Sequence, residues 1–188
     1  MSPTFFSTDD GDIILRAKSD SNSLRDFRVH KFILSLASSV FRDMFTFPQP
    51  PDQTTNPEHQ PPVIDLLESP EVLDNILRFI YPGIEPPQIT EPPILTATLL
   101  AVDKYNISSM YPSLRETLKT FLPIRSVWVY IIANRFGFPE VAKEAARVSS
   151  LQFLSGLTNR EDLQHISSVD PFGSSSSSKQ GNTKGYTG

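Results

Sequence analysis

FRVHKFILSLASSVFRDMF, residues 27–45, changes its apolar period partway along. Phe27 and Val29 alternate with Arg28 and His30, as in a strand with one buried face. From Phe32 on, apolar residues recur at three and four positions: Phe32, Ile33, Leu36, Ala37 and Val40. That is helical spacing. Ser38-Ser39 precedes Val40–Phe45 and can begin a new helix, because a serine hydroxyl accepts an otherwise unpaired backbone N–H there. The stretch therefore predicts a strand followed by two short helices. His30 sits at the changeover, either as a working group or as the mark of a junction.

Upstream, Asp12–Arg16 (DIILR) reads as a short strand and residues 17–25 as a polar loop, so the two strands form an antiparallel pair. Downstream, residues 48–62 carry six prolines and no aliphatic side chain, which predicts a loop. Val63–Leu67 is a third short strand candidate. Ser69-Pro70-Glu71 begins a helix: a serine cap, proline in the first turn, and an acid at the positive end of the dipole. Its apolar face is Val72, Leu73, Ile76, Leu77 and Ile80, and Tyr81-Pro82-Gly83 stops it.

A second proline loop covers 82–93, and a helix follows over Ile94–Ile107 with Leu95, Leu99, Val102 and Tyr105 inward. Ser108 or Ser109 is placed to cap the next helix, which reaches Leu122 and holds Pro112 in its first turn. Pro123 breaks the chain. Ser126–Phe136 and Pro139–Leu151 then make a helical pair around Gly137, with a further short helix expected over Glu161–Ser167. The Ser/Gly-rich tail from Asp170 has too few apolar residues to bury a core and is expected to be disordered.

The 188 residues suffice for one ordinary domain and an extension. A formal charge of -4 gives no electrostatic footprint for nucleic acid. With no cysteine there is no disulfide framework, thiolate metal site or cysteine nucleophile. No basic segment leads into an apolar run at Met1, and no apolar run is long enough to span a bilayer. The expectation is a soluble intracellular protein, cytoplasmic or nuclear, without nucleic-acid or membrane partners.

Strand, strand, two helices, strand, helix and helical hairpin, in that order and with these residues, resemble the BTB/POZ family. The resemblance is carried by Asp12-Ile-Ile-Leu15, Phe27-Arg-Val-His-Lys31, Phe32-Ile-Leu-Ser-Leu-Ala-Ser38 and Val40-Phe-Arg-Asp-Met-Phe45. It continues in Ser69–Tyr81 and in Leu99–Ile107, covering roughly residues 10–122. It implies an α+β fold with a small sheet packed on helical hairpins. The division expected is a BTB/POZ domain over 1–122, a helical extension over 123–168, and the tail over 169–188. Two departures stand out. The first proline loop is longer and more polar than in compact members, and IEPPQITEPP (84–93) stands where the family has a short strand.

The chemistry-bearing residues read as structural. The histidines, His30, His59 and His165, have no helical i, i+4 pairing and no cysteine to complete a metal site. The resemblance places His30-Lys31 at a strand-to-helix junction. Asp9-Asp10-Gly11-Asp12 runs into Ile13, Ile14 and Leu15 where calcium ligands would have to continue. No G-x-S-x-G, phosphate loop or dinucleotide fingerprint occurs. Pro48-Gln-Pro-Pro51 matches P-x-x-P and is read as plain loop. No enzyme, cofactor or metal is expected.

The resemblance implies protein–protein interaction. Dimerisation through the first strand and first helices would involve Ile13, Leu15, Phe32, Ile33, Leu36 and Phe41, with Phe5 and Phe6 as strand-exchange contributors. Ile89-Thr90-Glu91 has the hydrophobic-x-acid pattern of cullin-binding members, which makes Ile89 and Glu91 candidate cullin contacts. Two functions follow as expectations: a homodimeric adaptor for a cullin-dependent ubiquitin ligase, or a scaffold or transcription-linked dimerisation module that binds no cullin.

Overall fold

The computed structural model describes residues 6, 10–19, 24–46 and 61–154. Three strands, β1 (Ile13–Lys18), β2 (Leu24–Val29) and β3 (Val63–Leu66), form one sheet in the order β2-β1-β3. β1 runs antiparallel to β2, with Ile13 opposite Val29, and parallel to β3, with Leu15 opposite Ile64. Ile13, Leu15 and Ala17 alternate into the core with Phe27 and Val29 of the neighbouring strand. The expected loop 17–25 is shorter than its polar composition suggests, because Lys18 pairs with Leu24 and Ala17 with Arg25. Arg16 and Asp26, directly opposite each other, hold this end together with a bidentate bridge at 2.7 and 2.9 Å.

The described residues also contain seven α-helices: α1 (Lys31–Ala37), α2 (Ser39–Thr46), α3 (Pro70–Ile80), α4 (Pro92–Lys104), α5 (Tyr111–Lys119), α6 (Leu122–Arg135) and α7 (Pro139–Leu154). α1 ends because Ser38 is extended (φ -140°, ψ 123°), and α2 begins because Ser38 Oγ accepts the Phe41 amide hydrogen at 3.0 Å. Ser69 caps α3 through the Val72 amide, with Pro70 in the first turn. α4 begins at Pro92, two residues before Ile94, since adjacent prolines fit a first turn whose N–H groups have no intrahelical partner.

One expectation is corrected by backbone geometry. Neither Ser108 nor Ser109 caps α5: both lie in a short 3-10 turn, Ser108–Met110, and α5 starts at Tyr111 without a side-chain cap. The chain does break around Pro123, which lies in the first turn of α6 after α5 ends at Lys119. Helix α6 already begins at Leu122, and the disruption appears as a kink at Arg125 (φ -137°, ψ 48°). Gln152 of α7 reaches back to this kink, donating to the Pro123 carbonyl at 2.8 Å and accepting from Ser126 at 2.6 Å.

α4 and α6 end alike. Asn106 (φ 51°) and Gly137 (φ 70°) take the left-handed conformation, and the amides of Ile107 and Phe138 return to the carbonyls of Val102 and Ala133. Residues 84–91, where the family has a short strand, contain none. The P-x-x-P at Pro48–Pro51, the expected helix over Glu161–Ser167 and the tail lie outside the described residues.

Candidate interaction site

The surface around α1 is set by the junction that starts it. Val29 ends β2 in the core, and His30 is extended (φ -107°, ψ 120°). The His30 amide donates to the Tyr81 hydroxyl at 2.7 Å, and its Nδ1 lies 3.1 Å from the same oxygen. Its Nε2 lies 3.4 Å from Asp10 Oδ2. Burial pushes the Tyr81 hydroxyl above its ordinary range, so it stays protonated. Asp12 Oδ1 accepts the Lys31 amide hydrogen at 2.7 Å, satisfying a donor at the start of α1 from outside the helix. His30 and Asp12 thus fix where strand becomes helix. Among the described residues no three His, Cys, Asp or Glu side chains gather as a metal site.

Beneath α1 and α2 lies a second anchor. Phe41 stacks on Tyr105 with centroids 4.6 Å apart, and Ser38 Oγ donates to the Tyr105 carbonyl at 2.5 Å. The Tyr105 hydroxyl donates to Glu68, which also bridges Lys104 at 2.6 Å. Burial and the Glu68 carboxylate push the Tyr105 hydroxyl far above the usual phenol range. Burial opposes ionisation of Glu68, but its bonds to Lys104 and Tyr105 outweigh it and hold the carboxyl below its ordinary value. This link between distant parts of the chain has no local sequence signal, since the spacing from Glu68 to Tyr105 follows no period.

Helix α1 has apolar side chains on both sides. Leu34 faces the core and is fully buried, whereas Phe32 is 71% and Leu36 73% exposed. The last two are four residues apart, so they lie on one face, one turn from each other. Ile33 is half-buried between the two environments. Of the other residues expected at a dimer interface, Ile13, Leu15, Phe41 and Phe6 are buried within this chain, and Phe5 lies outside the described residues.

Ile89 and Glu91 part company. The Ile89 side chain is buried, while Glu91 is exposed at the N-cap position of α4. A further exposed apolar group lies on the kinked start of α6 and the end of α7: Ile124, Leu151, Phe153 and Leu154. No helix among the described residues is long and apolar enough to cross a membrane.

The BTB/POZ domain family model matches residues 6–122, which spans all three strands and the helices through α5. Comparison with curated proteins finds no match. BTB/POZ domains are in general protein–protein interaction modules rather than enzymes. The α+β order, the junction at His30 and the matched span agree: the chain belongs to the BTB/POZ domain family.

Proposed function

We propose that this chain is a self-associating interaction module that pairs with a second copy through α1. The observation that carries the reading is the exposure of Phe32 and Leu36 on a helix whose opposite side is fixed in the core by Leu34. Removing two such side chains from water favours association by about 1.5–3 kcal/mol each, before association costs. In a two-fold arrangement each copy contributes the same patch, so the gain is doubled. Ile33 widens the patch at its edge. Ile13, Leu15 and Phe41 are buried within this chain, so the exposed part of the patch is Phe32 and Leu36. Sedimentation equilibrium of the full chain across a concentration series tests this: a dimer mass is expected, and a monomer mass throughout would remove the reading.

A second reading, adaptor for a cullin-dependent ubiquitin ligase, is favoured by two features. Glu91 is exposed at the head of α4, and the α6–α7 pair continues the domain as the opening of the extension proposed for 123–168. Ile89 would support that loop from inside. Calorimetric titration with the N-terminal domain of the BTB-linked cullin tests it, with Glu91→Ala as the surface variant. Binding weakened by that substitution supports an adaptor. No binding by folded protein leaves a scaffold or transcription-linked dimerisation module. Both readings place the chain in the cytoplasm or nucleus.

A further inference from the structure

The end of the α6–α7 hairpin where α6 starts and α7 stops is tied by side chains. Gln152 donates to the Pro123 carbonyl at 2.8 Å and accepts from Ser126 at 2.6 Å, and Ser149 donates to the Ser126 hydroxyl at 3.0 Å. Ile124 follows Pro123, while Leu151 and Phe153 flank Gln152, so these bonds gather apolar side chains at one end of the hairpin. Ile124, Leu151, Phe153 and Leu154 are 55–81% exposed there. An apolar patch of this kind marks a surface that another segment covers.

The chain runs on from the patch itself. Residues 155–188 follow Leu154, and Leu157, Leu163 and Ile166 are the first large apolar residues among them. Leu163 and Ile166 are three apart, the spacing of one helix face. Asn159, Glu161 and Asp162 precede them, a cap residue and two acids of the kind that favour a helix start. So short a helix is not stable alone in water and needs an apolar surface to rest on. Residues 155–160 span up to about 20 Å when extended, enough for a patch that begins at Leu154. The patch and the segment each supply what the other lacks.

We propose that the patch formed by Ile124, Leu151, Phe153 and Leu154 is the seat of residues 157–166 of the same chain, with Leu163 and Ile166 as the anchoring side chains. The short tether decides for this occupant against a second copy. It holds the segment at an effective concentration in the millimolar range, far above that of another molecule in dilute solution. The inference does not depend on pairing through α1.

The test is amide hydrogen exchange of the full chain, read by mass spectrometry beside a free peptide of residues 155–169. In the unaltered chain, residues 161–167 are expected to exchange at least about tenfold more slowly than in the peptide. Leu151→Ser with Leu154→Ser, both at exposed positions, should return them to the peptide's rate. Should that variant lose its fold, Leu163→Asp with Ile166→Asp takes its place and should speed exchange at Gln152–Leu154; an unchanged rate there overturns the proposal. Exchange of 161–167 at the peptide's rate in the unaltered chain overturns it directly. So does slow exchange that survives the serine substitutions, since the segment would then rest elsewhere. Slow exchange that disappears on dilution overturns it too, because a second copy would then be its source.

Discussion

Ser38 and Tyr105 are joined by a hydrogen bond of 2.5 Å across 67 residues of sequence, from the break between α1 and α2 to the end of α4. The same hydroxyl oxygen accepts the Phe41 amide hydrogen, so one buried side chain both starts α2 and ties it to α4. Ser38→Ala removes the cap and leaves the Tyr105 carbonyl without this partner. The expected cost is about 2–3 kcal/mol. Urea denaturation should show a lower midpoint at an unchanged m-value.

Glu68 makes stability depend on acid. Its folded value is lowered from 4.5, so its contribution is complete above that value and is lost as pH falls through the lower, folded one. Asp26, held down chiefly by its bond to Arg16, acts in the same direction below 3.8, weakly because it is exposed. Asp74, raised by burial against the loose pull of Arg25 and Arg78, acts oppositely: its contribution is full below 3.8 and declines as pH rises through its folded value. Thermal melts between pH 7 and 3 should show Glu68→Gln less stable at pH 7 and with a shallower loss on acidification. An equally steep loss in the variant would assign the acid sensitivity elsewhere.

Gly11 is held by space. A Cβ there would stand 2.7 Å from Arg28 Cγ, 2.8 Å from the Val29 nitrogen and 2.9 Å from the Val29 oxygen. Two of those neighbours are backbone atoms of β2 and cannot rotate away. Gly11→Ala should lower stability by about 1–3 kcal/mol, measured by denaturation, and should speed exchange of the Asp12 amide, which bonds to the Val29 carbonyl.

Asn106 adopts φ 51° and donates from Nδ2 to Ser39 Oγ at 2.9 Å. Asn106→Gly keeps the conformation and loses only an exposed bond, so the change should stay within about 1 kcal/mol. Asn106→Val forces a β-branched residue into the left-handed region and should cost about 1–2 kcal/mol more. Equal melting temperatures for the two variants would remove the backbone argument.

The fold was legible where local chemistry repeats itself. The change of period after Val29, the serine at the α1–α2 break and the Ser69-Pro70 start each have a mechanism within a few residues. The failures have physical causes too. Ser108 and Ser109 look like caps, but the left-handed turn at Asn106 leads directly into a 3-10 turn. Cross-strand pairing, invisible to composition, extends β1 and β2 past Arg16 and Asp26. The site was harder. Helix α1 is apolar almost all round, so spacing could not divide Phe32, Ile33 and Leu36 between core and surface, whereas packing turns Leu34 inward and leaves Phe32 and Leu36 in water. A side chain of seven-residue α1 can be assigned to core or surface only once its neighbours are in place.

The central claim, pairing through α1, is tested most directly by the solution mass of the Leu36→Asp chain beside the unaltered one. Leu36 is exposed, so the substitution should leave the far-UV spectrum and melting of the isolated chain nearly unchanged. A charge in the centre of an apolar contact has no partner, so the account predicts that the unaltered chain sediments as a dimer and Leu36→Asp as a folded monomer. A folded Leu36→Asp chain with the same mass as the unaltered protein would contradict it.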